Sequence, residues 1–171
     1  MRKWRIFSET EASQVAEAAA VLPVMFMVFL AIFWFGRAYN IYGTINHAAR
    51  EGARAAVVGS CATCGNAPLN ANAVAAVVAS ALQASKLNPA LVADLSAPYN
   101  HCNGTVAQCQ KPTSGPQICY YNSVVINQPN TGPPSCGVVV SFTYPYQFYL
   151  PFTSLNGPIS LKATVQMAGE Y

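Results

Sequence analysis

Charge is what this sequence has least of. Only 9% of its residues are Asp, Glu, Lys or Arg, against about 25% in an ordinary soluble domain. Beyond Arg54 the charged residues are just Lys86, Asp94, Lys111, Lys162 and Glu170. A net charge of +3, small and scattered, excludes the dense basic face by which proteins hold nucleic acid. Acidic residues are too few for a paired-carboxylate site of the glycosidase kind. The two histidines, His47 and His101, have no nucleophile or carboxylate at a suggestive spacing and read as surface or packing residues. No glycine loop of the phosphate-cradling type occurs. With no enzyme signature and no cofactor motif, a non-catalytic protein without a cofactor is the expectation.

Cysteine is missing too, but only from the first 60 residues. All six cysteines follow: Cys61, Cys64, Cys102, Cys109, Cys119 and Cys136. An even number in a charge-poor segment rich in Asn, Ser, Thr, Pro and Gly reads as a disulfide framework in an oxidising compartment. Six cysteines allow 15 pairings, so connectivity stays open, with local pairing of Cys61 and Cys64 preferred. Their CATC spacing could also be a redox pair or half of a metal site. A redox motif wants CxxC opening a helix within a βαβ pattern, and zinc wants a second ligand pair. Neither context is present, which favours a structural bridge.

One long apolar run is present. From Ala18 to Gly36 no residue is charged, and as a helix that run spans about 28 Å, close to a bilayer core of about 30 Å. Trp4, Trp34 and Tyr39 flank it at positions that suit the membrane interface. A cleaved secretory signal is the rival reading, but its apolar region is roughly 7–15 residues; a retained anchor fits better. Arg2, Lys3 and Arg5 precede the run and Arg37, Arg50 and Arg54 follow it, so positive charge alone does not orient it. The cysteines do: amino terminus in the cytoplasm, carboxy terminus outside. The helical pattern continues to Val58, interrupted only by Pro23, Gly36 and Gly43, which membrane helices tolerate. Pro23 removes a backbone donor and loosens the helix near its start. Ala48, Gly52 and Ala56 recur every fourth residue and make a stripe that permits close helix approach.

Glu17 stands at the threshold of that run. A charge costs roughly 2.5–3.5 kcal/mol at a bilayer centre and less near its edge. Two readings stand side by side: an acidic first-turn residue favoured by the helix dipole, or a carboxylate that neutralises a positive group in the membrane.

The remainder reads as a small α+β domain. After the loop GSCATCGNAPLN, Val74, Val77, Val78, Ala81 and Leu82 fall at helical spacing, with Asn70 or Asn72 as the cap. Asn88-Pro89 opens a short turn through Leu95. Residues 97–118 have no period and are ordered mainly if their cysteines are bridged. Asn103-Gly104-Thr105 matches a glycosylation sequon, a pattern common by chance. Three strands follow at 119–127, 137–146 and 159–168. In the last, Ile159, Leu161, Ala163, Val165 and Met167 alternate with Ser160, Lys162, Thr164 and Gln166, giving one buried and one wet face of an antiparallel sheet. Domain limits follow: a basic cytoplasmic leader 1–12, a long helix 13–58 whose span covers about 18–39, and an exported domain 59–171.

The stretch VAEAAAVLPVMFMVFLAIFWFGRAYNIYGTINHAAREGARAAVVG resembles the amino-terminal region of the TadE/TadG-like family, pilin-like proteins of tight-adherence pilus systems. The features that carry the resemblance are Glu17, Leu22-Pro23, Phe35-Gly36-Arg37 and the block Ala49–Arg54, with the closing strand ISLKATVQMAGEY as a second, shorter likeness. The resemblance implies a minor pilin or pseudopilin of the bacterial inner membrane, its carboxy-terminal domain periplasmic or extracellular. Its implied partners are other pilin subunits, the assembly machinery and a prepilin peptidase. It implies processing between Ala12 and Ser13, Ala12 standing where pilin-type sites usually carry glycine. It also makes Glu17 the fifth mature residue, opposite the new amine of Ser13, and makes the stripe Ala48, Gly52, Ala56 a seam between subunit stalks. The competing reading is a single-pass, exported binding or redox module that never polymerises.

Overall fold

The structure, a computed structural model, describes residues 9–58, 69–126, 135–147 and 157–169, without the side chains of residues 9–13. Cys61 and Cys64 lie outside these residues, so their expected pairing does too. The chain forms two compact units, Met1–Tyr39 and Asn40–Tyr171, whose boundary falls inside one helix, α1 (Glu9–Val57).

In the first unit the helix carries large apolar side chains on every side, and nearly all of them are exposed. Phe29 is 61% and Phe35 69% exposed, and no part of the most apolar window is buried. A helix apolar all round is stable only inside a large core or a bilayer, and it is not in a core here. By length and composition this one is able to cross a membrane.

The second unit has the expected α+β architecture. Its share of α1 buries Ile45, Ala48, Ala49, Gly52, Ala53 and Ala56, the i, i+3, i+4, i+7 pattern of a helix lying on a core. Helix α2 (Ala71–Ala84) contributes Val74, Ala75, Val78 and Leu82. Asn70, not Asn72, caps it: the Asn70 side chain accepts a hydrogen bond from the Ala73 amide at 2.8 Å. At the other end Lys86 takes φ +60°, and Leu87 N–H reaches back to the Leu82 carbonyl at 2.9 Å, closing the helix in a Schellman turn.

Against these helices lies an antiparallel sheet of β4 (Cys119–Ile126), β5 (Ser135–Gln147) and β6 (Pro158–Ala168), with the two-residue strand β1 (Ala93–Asp94). Strand β5 is the spine. One edge pairs with β6 throughout, from Gly137 opposite Ala168 to Gln147 opposite Pro158; the other is shared by β4 and β1. Val138, Val140, Phe142 and Tyr144 stand beside Met167, Val165, Ala163 and Leu161 on β6, and all face the helices. The expected alternation in β6 is therefore present, except that Ile159 at the strand's start is 50% exposed. The expected helical turn from Asn88 through Leu95 is shorter. A 3-10 turn, Pro89–Leu91, is capped by Asn88, and the chain then extends as β1 because Ala93 and Asp94 pair with Thr143 and Phe142.

The other face of β5 is also covered, which simple alternation does not anticipate. Val139 is as buried as its neighbours, in a second cluster with Ala107, Cys119, Tyr121 and Val124. The cover is the segment from Leu95 to Ile118, hereafter the strap. It includes a small hairpin, β2 (Tyr99–Asn100) with β3 (Val106–Ala107). Ser141 Oγ, buried under it, donates to the Leu95 carbonyl at 2.7 Å, and the Tyr121 hydroxyl accepts from the Ala97 amide at 3.0 Å. The Tyr99 ring meets that of Tyr121 edge-on at 4.9 Å, a favoured aromatic geometry. Two disulfides hold the strap, Cys102–Cys136 and Cys109–Cys119. The bridged cysteines order residues 97–118, as expected from their composition.

Candidate functional site

The features singled out in the sequence fall into two places. Ala12, Ser13, Glu17 and Pro23 belong to the first unit, where Ala12 and Ser13 are backbone positions of α1. Glu17 is exposed, at the start of the outward-facing apolar stretch. Pro23 lies inside the helix; lacking an N–H, it leaves the Ala19 carbonyl without its helical donor. Around and beyond them Leu22, Phe26, Phe29, Ile32 and Phe33 present a continuous apolar surface. Toward the end of the unit come half-exposed Trp34, exposed Arg37 and Tyr39, the last 79% exposed. Aromatic and cationic side chains in that order suit the boundary between hydrocarbon and water. What this surface can do is chemical only in the sense of solvation: it can dissolve in lipid or pack on other apolar helices.

Ala48, Gly52 and Ala56 are elsewhere, and their use differs from the expected one. They do permit close approach, but to this chain's own α2 and sheet. Ala48 and Ala56 have no exposed surface. A Cβ placed on Gly52 would come within 2.6 Å of a Val78 methyl, 3.5 Å of Val74 and 3.9 Å of Val140. A stripe buried inside its own domain has no surface to give a neighbour's stalk, so the expected seam between subunits does not run along it. The physical reason is size: with only hydrogen or methyl along this face, α1 can lie against the branched side chains of α2 and β5.

Electrostatics contributes little. Glu51 approaches His47 at 4.0 Å one turn away, both well exposed, and Lys111 pairs with Asp94 at 2.9 Å, partly exposed. Surface pairs of this kind are worth ~0–1 kcal/mol. Among the described residues no three His, Cys, Asp or Glu side chains gather as metal ligands do.

The sequence reading missed Gly137. A Cβ there would land on the Met167 carbonyl and the Ile126 side chain. A glycine within an otherwise β-branched run is the signal for such close approach. Also missed was Asn72, whose side-chain oxygen accepts from Thr113 N at 2.8 Å and from Thr113 Oγ1 at 3.2 Å, tying the strap to α2.

Residues 12–54 match the family model described as TadE-like protein. The match lies wholly within α1 and contains Glu17, Pro23 and Ala49–Arg54; it does not reach the closing strand, where the second likeness was noted. Neither a curated protein nor a solved structure matches the chain. The match and the exposed apolar helix together fit a membrane-anchored subunit related to tight-adherence pili.

Proposed function

We propose that this chain is a minor pilin or pseudopilin of a tight-adherence, type IV-related pilus or secretion system, assembled through its amino-terminal helix. The observation that carries the reading is one coincidence: the residues that match the TadE-like family include the helix whose bulky apolar side chains are exposed on all sides. An exported domain would need only a short apolar anchor. Here the same segment also carries Glu17 and Pro23 at the family's positions. Its role is structural rather than catalytic.

In this reading residues 1–12 are a cytoplasmic leader and a prepilin peptidase cuts between Ala12 and Ser13. The helix then sits in the inner membrane, and the domain beyond it, 59–171, lies in the periplasm or outside the cell. The new Ser13 amine is a cation near the bilayer edge, and the Glu17 carboxylate, of the same chain or a neighbour, balances it. Removing one partner of a desolvated pair strands the other charge, at a cost of roughly 3–5 kcal/mol. Glu17→Ala should therefore abolish co-purification with the pilus subunits while leaving the folded domain intact. Wild-type levels of pilus and of co-purified subunits in that variant would sink the assembly role. Intact mass of the membrane-extracted protein tests processing: loss of residues 1–12 is expected, and a full-length mass would refute the cut.

A further inference from the structure

The two disulfides of the strap are not equivalent, and the difference is one of access. In Cys109–Cys119 neither residue is open: Cys119 is completely buried at the head of β4, and Cys109 is half-buried against the same cluster. Cys102–Cys136 is the more open of the two. Cys102 is exposed in the loop of the β2–β3 hairpin, and its partner Cys136, near the start of β5, is half-buried. Polar contacts also hold the hairpin loop to β4 beside this bridge, where His101 pairs with Val124. The Ser123 carbonyl accepts from Cys102 N at 2.9 Å and lies 3.3 Å from His101 Nδ1. Ser123 itself has φ +49°, at the irregularity that interrupts β4 between Tyr121 and Val124. A two-residue hairpin is marginal alone, so it depends on its fastenings to the sheet, of which this bridge is the covalent one.

We propose that Cys102–Cys136 is an exchangeable disulfide, open to a dithiol reductant, and that it latches the 99–107 hairpin over the sheet while Cys109–Cys119 stays closed. A thiolate of the dithiol attacks the sulfur of Cys102, the exposed residue of the pair. A mixed disulfide forms, and the Cys136 thiolate departs and takes up a proton. The second thiol of the same reductant then attacks the mixed disulfide and releases Cys102 as a thiol. The reductant ends as its own disulfide, and the two electrons reside on Cys102 and Cys136. Access decides which sulfur is attacked and which bridge reacts. Once unlatched, the hairpin lifts Tyr99 and Ala107 from Tyr121, Val124 and Val139, uncovering that part of the sheet, whereas Leu95, Ala97 and the Cys109–Cys119 loop stay in place. This inference is independent of the pilus reading.

The test uses the full chain in detergent, oxidised, then exposed to limiting dithiothreitol at neutral pH. Alkylation at timed intervals and peptide mapping follow each cysteine, with Cys61 and Cys64 scored separately. Cys102 and Cys136 should become alkylated at least tenfold faster than Cys109 and Cys119. At that stage amide exchange should rise over residues 99–107 and at Val124, with α2 unchanged. Equal rates for the two bridges, or earlier opening of Cys109–Cys119, would overturn the proposal. So would loss of protection in α2 together with the hairpin. The double variant Cys102→Ser, Cys136→Ser supplies the second arm. It should reproduce the local rise in exchange with Cys109–Cys119 still oxidised, and unchanged hairpin exchange would count against a latch.

Discussion

The two portions of helix α1 solve opposite problems with opposite side chains. Up to Tyr39 the apolar surface is dominated by Phe, Met, Val, Leu and Ile, large and outward-facing. From Asn40 onward the core side is almost entirely Ala and Gly, and it is buried. The first portion maximises the apolar area it offers to its surroundings. The second minimises its own bulk so that α2 and β5 can come close. Helical hydrophobicity thus has two meanings in this chain, and residue size tells them apart: large groups where the partner lies outside the described molecule, small ones where it is within.

Substitutions can break that contrast. The largest effect should come from Leu82→Ala, which empties a fully buried position on α2. About 2–5 kcal/mol of stability should be lost. Leu22→Ala, at a site 67% exposed, should change the unfolding of residues 40–171 by less than ~0.5 kcal/mol. Denaturant melts followed by near-ultraviolet circular dichroism compare the two directly. Equal losses would erase the distinction between the portions of α1.

Next comes a pair of glycines on the same helix. A methyl on Gly52 meets Val78, whereas one on Gly43 meets nothing within 4 Å. Gly52→Ala should destabilise by about 1–3 kcal/mol through overpacking. Gly43→Ala should stabilise by about 0.5–1 kcal/mol, since alanine loses less backbone entropy in a helix. Opposite signs in thermal unfolding are expected, and a stabilising Gly52→Ala would show that the helices are not in close contact. A small effect of stabilising sign belongs to Lys86. Its φ of +60° suits glycine, so Lys86→Gly should raise stability by a few tenths to ~1 kcal/mol in the same melts.

Much of this architecture was legible in the sequence because local chemistry dictated it. Asn70 ahead of an apolar helical repeat, Asn88 before Pro89, and the alternation of β6 each state a local rule that the structure obeys. The stripe Ala48, Gly52, Ala56 was legible only as an invitation to close packing. Small residues do not say whether the guest is the same chain or another, and here the guest is α2. Strand β5 hid its second buried face for a related reason. Val138-Val139-Val140 is a continuous apolar run, the mark of a strand covered on both sides. Its cover is a strap without periodicity, whose position rests on pairing between cysteines that sequence spacing does not reveal. Of the apolar helix, composition showed what it avoids, which is water, and the TadE-like match adds a likeness to membrane-anchored, pilus-related subunits.

Strands β4, β5 and β6 follow one another along the chain and pair with their sequence neighbours, so most of the sheet needs only local loop closure. Helix α1 does not share that advantage. Its buried stripe centres on Gly52, and the β5 residue that faces it is Val140, so about half the chain separates the two. Loop closure over such a distance is the slow kind of contact. Helix α2 is made soon after α1 and can cover part of the stripe, but until β5 and β6 have been made the stripe has no sheet to lie on. Its small side chains then have a second merit: of all apolar surfaces, alanine and glycine leave the least for a wrong partner to hold while the right one is still being made.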